Sequence, residues 1–327
     1  MLTTLIAESH NYSDKALKVY KSLGRVLLVK KDNKVSKKKQ ILNDINILVI
    51  RNLTQVDKKL INLMPKLKVL ASPTTGLNHI DVNYLNKKNI KLISLRGQTK
   101  FLETIPSTAE HTMALLLSLV RHIPWSFDEV KKGNWPRDEF IGNQLKNKTI
   151  GILGYGRLGK IVAKYCKAFD MNIISCDPNV SKEVILKNGV KKVGFDELFK
   201  KSDIVSIHVL LTENTKNLIK EKHFRMMKRD SIFINTSRGE IIEKNALYNA
   251  LKEKFIKAAA VDVMWDERKN GNHLKRDPLW KYAKTYKNLL ISSHLGGVSY
   301  EAMEETENFI ADLVKKHIKN NKYTEEK

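Results

Sequence analysis

The chain is poor in cysteine, in acidic residues and in long apolar runs. Its 327 residues include only two cysteines, Cys166 and Cys176, which cannot make a disulfide framework and do not stand in a metal-ligand spacing. No metal site is therefore expected. The longest apolar run, Met113 to Val120, is too short to span a bilayer. The opening segment MLTTLIAESHNYS has neither a basic start nor a cleavable apolar stretch, so no export signal is read there. Acidic residues are outnumbered, 35 Asp+Glu against 59 Lys+Arg, for a formal charge of +24. Together these shortages predict a soluble, cytoplasmic protein of a reducing compartment, with no membrane partner.

What is present narrows the reading further. A hydrophobic content of 42% excludes wholesale disorder, and the length suits two domains. Of the basic residues 48 are lysine and 11 arginine, and the lysines are scattered through nearly every stretch of the chain. A nucleic-acid protein would concentrate Arg and aromatics on one element, so no specific nucleic-acid partner is expected. The bland alternative, a solvated lysine-rich surface, also speeds the encounter with small anions. A nucleic-acid gel shift that survives physiological salt would contradict this, because diffuse lysine contacts weaken steeply with salt.

Short apolar runs alternate with helical patterns through the first hundred residues. Arg25–Lys30, Ile45–Ile50, Lys68–Ser72 and Lys91–Ser94 read as strands. Ser13–Leu23, Ser36–Asp44, Val56–Met64 and Val82–Lys88 read as helices, with Ser13 and Ser36 as N-caps. Ile105 to about Lys132 reads as the longest helical stretch, ended or kinked by Pro124. Beyond Gly142 the alternation resumes, with strands at Thr149–Leu153, Asn172–Cys176, Ile204–Ile207, Ser231–Asn235, Ala258–Asp262 and Leu289–Ser292. The segment Ser299–Lys319 reads as an amphipathic helix with Phe309, Leu313 and Ile318 near one face, and the tail from Asn320 as frayed. This order predicts an α/β chain with two doubly wound parallel sheets, each Rossmann-like.

The turn after Thr149–Leu153 reads Gly154-Tyr155-Gly156-Arg157-Leu158-Gly159. A lone glycine motif is weak, but this one follows an apolar strand and opens a helix. Gly154 suits the tight turn, Gly156 lets backbone approach a pyrophosphate, and Gly159 lets helix and strand pack closely. The helix N-terminus supplies N–H groups and partial positive charge. Asp177, 18 residues past Gly159, can accept both ribose hydroxyls and would repel a 2′-phosphate, so NAD is expected over NADP.

Three strand ends follow downstream. Ile234-Asn235-Thr236-Ser237-Arg238-Gly239, Ala260-Val261-Asp262-Val263-Met264-Trp265-Asp266-Glu267 and Ser292-Ser293-His294-Leu295-Gly296-Gly297 each close a strand. Ligands of open α/β sheets bind outside the carboxyl ends of strands, so an Arg, a Glu and a His point toward the cofactor's crevice. Taken singly, each would be a structural histidine, a surface ion-pair partner or a solvated acid; their joint spacing is the signal.

On these residues the sequence resembles the D-isomer-specific 2-hydroxyacid dehydrogenases, which include phosphoglycerate dehydrogenases and glyoxylate/hydroxypyruvate reductases. Glu267 stands 29 residues after Arg238, as that family's pattern requires. Thr75-Gly76-Leu77-Asn78-His79-Ile80-Asp81 and Ser107-Thr108-Ala109-Glu110-His111-Thr112 match as well, and the likeness runs from about residue 45 to 305. The resemblance implies a discontinuous substrate-binding, flavodoxin-like domain, 1–103 with 296–327, around an NAD-binding Rossmann domain, 104–295. It implies a catalytic set of Arg238, Glu267 and His294. Cofactor contacts carried over are Gly154, Gly156, Arg157, Leu158, Gly159, Asp177, Val209, Thr236, Ser237, Arg238, Asp262, His294 and Gly296. Substrate contacts carried over are Arg51, Thr75, Gly76, Leu77, Arg238 and His294. It further implies a homodimer and a small anionic 2-hydroxy or 2-oxo acid as substrate.

In chemical terms His294 is the expected general acid/base, with Glu267 favouring its charged form. Arg238 is expected to hold the substrate carboxylate and polarise the carbonyl, and Asp262 to orient the nicotinamide carboxamide. His79 and His111 are read as supporting residues, and Trp135 and Trp265 as packing or crevice walls. Some positions depart from the family. Leu210, Arg268 and Ser293 stand where proline is usual, and Ser72 where phosphoglycerate dehydrogenases carry Arg, although Arg51 matches a substrate-contacting Arg of that subgroup. The sequence is thus divided on a phosphorylated substrate such as D-3-phosphoglycerate. Only 33 residues follow His294, too few for the regulatory domain of long phosphoglycerate dehydrogenases. An NAD(H)-sensing, partner-binding protein of the corepressor type is the alternative, separable by assaying NADH oxidation with 2-oxo acids.

Overall fold

The computed structural model describes residues 1–29, 39–267 and 271–321; Lys30, Ser36, Arg268 and the end of the expected frayed tail lie outside them. The chain divides into two compact units, Met1–Thr104 with Val298–Lys327, and Ile105–Gly297. Both are built on parallel sheets, as the alternation of strand and helix predicts.

The sheet of the first unit has the order β2-β1-β3-β4-β5, with β1 Leu2–Ile6, β2 Gly24–Leu28, β3 Ile47–Val49, β4 Val69–Ser72 and β5 Lys91–Ser94. The sequence reading has no strand at β1. Yet it pairs on both sides, Leu2 to Ile6 lying opposite Gly24 to Leu28 and Thr4 to Ile6 opposite Ile47 to Val49. Its two threonines break the apolar run, but helices cover both faces and even Thr4 is buried. Alternate residues point to opposite faces. Ile47, Val49, Val69 and Ala71 meet Ile310, Ala311, Val314 and Ile318 of the helix Tyr300–Asn320, whereas Leu48 and Leu70 pack with Leu60, Ile61 and Leu85. The stripe of that helix is therefore turned from the expected one. Phe309 sits at its margin, stacked on Phe101 with ring centroids 3.9 Å apart.

The sheet of the second unit has the order β12-β11-β10-β9-β6-β7-β8. Its strands are β6 Thr149–Leu153, β7 Asn172–Cys176, β8 Lys191–Lys192, β9 Ile204–Ile207, β10 Ile232–Asn235, β11 Ala258–Val261 and β12 Leu289–Ile291. The two-residue edge strand β8 escapes the sequence reading. Strand order reverses between β6 and β9, so a ligand crevice is expected outside their carboxyl ends. The stretch 105–132 is not one helix but two, Ser107–Val120 and Ile123–Lys131, with His122 at φ 53 between them. Pro124 falls in the first turn of the second helix, where its missing N–H costs nothing. The longest described helix is instead Tyr300–Asn320.

Candidate active site

The glycine turn lies at the point where the strand order reverses. Gly154 takes φ 93 after β6, its N–H donating to the Cys176 carbonyl at 2.9 Å, and a Cβ there would lie 2.8 Å from the His208 carbonyl group. A Cβ on Gly159 would stand 2.1 Å from the Gly154 oxygen, so helix and strand need its absence to pack. Gly156 differs. A Cβ there would meet nothing within 4 Å, and no side chain caps the helix Arg157–Ala168 that it opens. Open space over uncapped helix amides is what a pyrophosphate requires. Asp177, just past β7, accepts from Tyr155 N at 2.8 Å and Asn179 N at 2.9 Å, which anchors it beside the turn. These residues fit a dinucleotide. Leu158 packs against the core, and the Arg157 guanidinium donates to the Ile105 carbonyl at 3.0 Å. Across the crevice mouth, Ser237 Oγ donates to the Val209 carbonyl, and Thr236 Oγ1 lies 2.8 Å from Thr112 Oγ1.

Downstream, the three strand ends are brought together by backbone contacts. Glu267 Oε2 stands 2.6 Å from His294 Nδ1, and its other oxygen accepts from Met264 N at 2.8 Å. Glu267 is thus held at both oxygens and fixes the imidazole so that Nε2 is left without a protein partner among the described residues. Arg238 follows β10, its carbonyl bonded by Asn235 Nδ2 and its Nη1 donating to the Ser237 carbonyl at 2.6 Å. At Gly239 a Cβ would lie 2.3 Å from the Met264 carbonyl carbon and 2.6 Å from Trp265 N. Only glycine lets the Arg238 loop press on the strand end that leads to Glu267. Burial pushes the Glu240 carboxyl up, with the Glu267 charge adding to this and the Arg238 guanidinium opposing it.

Asp262 is the hub behind His294. It is 1% exposed, and its Oδ1 accepts from Ser292 Oγ at 2.5 Å, Leu295 N at 2.8 Å and His111 Nε2 at 3.1 Å, while Oδ2 accepts from Gly296 N at 2.8 Å. Its own carbonyl takes the His294 N–H at 2.9 Å. Burial alone would raise this carboxyl; the donors outweigh it and hold it below the usual carboxylate range. The clamp holds His294 at φ 59, a conformation that costs a non-glycine residue energy. The sequence reading gives Asp262 a cofactor role only; Oδ2 keeps room for one further donor, but its bonds make it first a brace for the histidine loop. Ser107 Oγ adds a bond to the Gly296 carbonyl at 2.9 Å.

In the first unit the loop after β4 presents Thr75, Gly76 and Leu77. Their amides donate to no protein acceptor among the described residues, while Thr74 ties the loop together through Ser72 Oγ and the Gly76 carbonyl. Arg51 stands otherwise than expected for a free substrate contact. Its guanidinium is paired with Glu307 and donates to the His10 carbonyl at 2.8 Å. Neither Glu307 nor Glu8, which caps the adjoining loop, carries any signal in the sequence, since each meets its partners far along the chain. Among the described residues no group of three His, Cys, Asp or Glu could hold a metal ion, and no helix is long and apolar enough to cross a membrane.

The NAD binding domain model of the D-isomer specific 2-hydroxyacid dehydrogenases matches residues 113–296. The chain is 36% identical over 276 residues to a D-3-phosphoglycerate dehydrogenase of Methanocaldococcus jannaschii, covering 84% of this chain and 50% of that one. It is 34% identical to a glyoxylate reductase of Thermococcus litoralis, covering 85% and 80%. Its fold matches a D-lactate dehydrogenase of Aquifex aeolicus, solved with NAD and lactic acid, at a TM-score of 0.81 and 28% identity over 97% of this chain and 96% of that one. The chain belongs to the D-isomer specific 2-hydroxyacid dehydrogenase family. It spans about half the length of the phosphoglycerate dehydrogenases it matches.

Proposed function

We propose that this chain is an NAD-dependent dehydrogenase that interconverts a small D-2-hydroxy acid and the matching 2-oxo acid. The observation that carries the reading is the Glu267-held imidazole of His294, with Nε2 left for a substrate oxygen. Gly154, Gly156, Gly159 and the helix they open would hold the pyrophosphate, Asp177 the adenosine ribose, and Thr236, Ser237, Asp262 and Gly296 the nicotinamide end. Bound NAD supplies the hydride chemistry at C2.

The chain's own residues do the rest. In the reducing direction Nε2–H of His294 gives its proton to the C2 oxygen, and Glu267 keeps Nδ1–H fixed while the ring changes charge. Arg238 lowers the energy of negative charge on that oxygen and pairs with the substrate carboxylate. The open amides of Thr75, Gly76 and Leu77 are the first unit's donors for a substrate carboxylate. In the oxidising direction the proton returns to Nε2.

NAD is proposed over NADP because a carboxylate at Asp177 repels a 2′-phosphate. A homodimer is also proposed, since Phe127, Trp135 and Ile141 are 60%, 83% and 77% exposed and would be covered by a second copy; sedimentation velocity measures it. The test of the activity is NADH oxidation with glyoxylate, hydroxypyruvate and pyruvate. Tight NADH binding without turnover of any would favour the sensor instead. Asp177→Ala should narrow the discrimination between NADH and NADPH, and unchanged discrimination would remove Asp177 from its role.

A further inference from the structure

The donors on the carboxyl rim of the first unit's sheet fall into two groups, occupied and open. Strands β1, β3 and β4 are neighbours there, and this rim is where open α/β sheets take ligands. After β4, the amides of Thr75, Gly76 and Leu77 are open. After β3 they are not. Leu53 N and Thr54 N both donate to the Glu8 carboxylate, at 3.0 and 2.7 Å, and Glu8 is buried.

The guanidinium on the same loop is likewise engaged. Arg51 Nε donates to Glu307 Oε1 at 2.7 Å, Nη2 donates to the same oxygen and to the Asn11 carbonyl, and Nη1 to the His10 carbonyl. Glu307 is only 1% exposed, and its second oxygen accepts from Ser13 N at 2.7 Å. Ser72, at the end of β4, offers a hydroxyl already bonded to Thr74.

We propose that this rim selects against phosphorylated substrates: Glu8 and Glu307 take the donors that a phosphate would need and leave amides suited to a single carboxylate. The inference rests on the dehydrogenase reading and narrows its substrate to unphosphorylated 2-hydroxy or 2-oxo acids. Four of the five Arg51 N–H donors are engaged, so a phosphate gripping the guanidinium through two of them must displace a present partner; where that partner is Glu307, a buried carboxylate stripped of its pair is strongly unfavourable. The dianion would also face Glu8 at short range. The other arginine on this rim, Arg96 beyond the edge strand β5, is exposed, and a water-screened cation is a weak anchor.

The test is the ratio of kcat/KM for hydroxypyruvate to that for 3-phosphohydroxypyruvate, measured on the full chain with NADH. The expected ratio is at least about 100 in favour of hydroxypyruvate, the scale set by unpairing one buried charge. Equal or better use of the phosphorylated acid overturns the proposal, including where Arg96→Ala removes it. Glu307→Gln, which leaves Arg51 uncompensated, should move the ratio toward the phosphorylated acid by at least about tenfold; an unmoved ratio in a folded variant also overturns it. If no 2-oxo acid is turned over, the dehydrogenase reading fails, and calorimetric titration with 3-phosphoglycerate decides this one separately. No saturable binding supports it; saturable binding lost in Arg51→Met overturns it.

Discussion

His294 Nδ1 and Glu267 Oε2 lie 2.6 Å apart, although 27 residues separate them in the chain. The contact exists because β11 and β12 are adjacent parallel strands whose carboxyl ends open on the same side. Each loop adds its own restraint: Met264 N holds the carboxylate, and the Asp262 carbonyl holds the histidine backbone.

Removing either partner should slow turnover and spare cofactor binding. His294→Ala should lower kcat by about 10²- to 10⁴-fold, the ordinary contribution of general acid–base catalysis. Glu267→Gln keeps the size of the side chain and removes its charge, and should lower kcat in the same direction. NADH affinity, read by fluorescence titration, should persist in both. Near-normal turnover in His294→Ala would end the assignment.

The two glycines of the turn should fail differently. In Gly159→Ala the new methyl would stand 2.1 Å from a backbone oxygen, so thermal stability should fall. In Gly156→Ala the methyl meets no protein atom. Its melting temperature should match the wild type while NADH affinity drops, because the methyl takes space meant for phosphate. Equal stability loss in both variants would show that Gly156 serves packing instead.

The second unit was the more legible half of the sequence. Strands at 149–153, 172–176 and 204–207 were readable because short apolar runs there alternate with helical stretches, and the glycine turn follows the first of them. Arg238, Glu267 and His294 were readable through spacing between strand ends. Other features left no local trace. The strand Leu2–Ile6 contains two threonines, and one is buried only because helices cover both faces of the sheet. The break at His122 depends on a left-handed residue and not on the proline two positions later. The pairing of Arg51 with Glu307 spans 256 positions and follows from the helix Tyr300–Asn320 packing over the sheet.

Asp262 should prove structural before it proves catalytic. Asp262→Ala strips acceptors from His111, Ser292, Leu295 and Gly296. Leaving such buried donors unpaired should destabilise the second unit by about 3 kcal/mol, or roughly 6–12 °C of melting temperature. His111→Ala removes one of those donors and should cost less. If Asp262→Ala melts like the wild type by calorimetry, the clamp is not what holds the loop.

The buried histidines should contribute a loss of stability on mild acidification, opposed by the raised carboxyls of Glu240, Asp277 and Glu307. Burial pushes the His208 imidazole down to about 4 from an ordinary 6.5, and burial displaces His122, His223 and His317 the same way. A histidine kept neutral in the fold binds fewer protons than in the unfolded chain. This contribution is therefore complete above the ordinary histidine value and erodes as pH falls toward the folded one. Urea midpoints at pH 7 and pH 5 measure the decline, and His208→Gln should flatten it. A ring C2–H resonance of His208 that shifts near pH 6.5 would contradict the placement.

The central position of Leu2–Ile6 has a consequence for biosynthesis. The nascent chain emits that strand some three hundred residues before the helix that seals its sheet, Tyr300–Asn320. The intervening unit can mature in the meantime, while Leu2–Ile6 waits with its apolar side chains uncovered. Cleavage within Leu2–Ile6 would remove a strand that is paired on both sides.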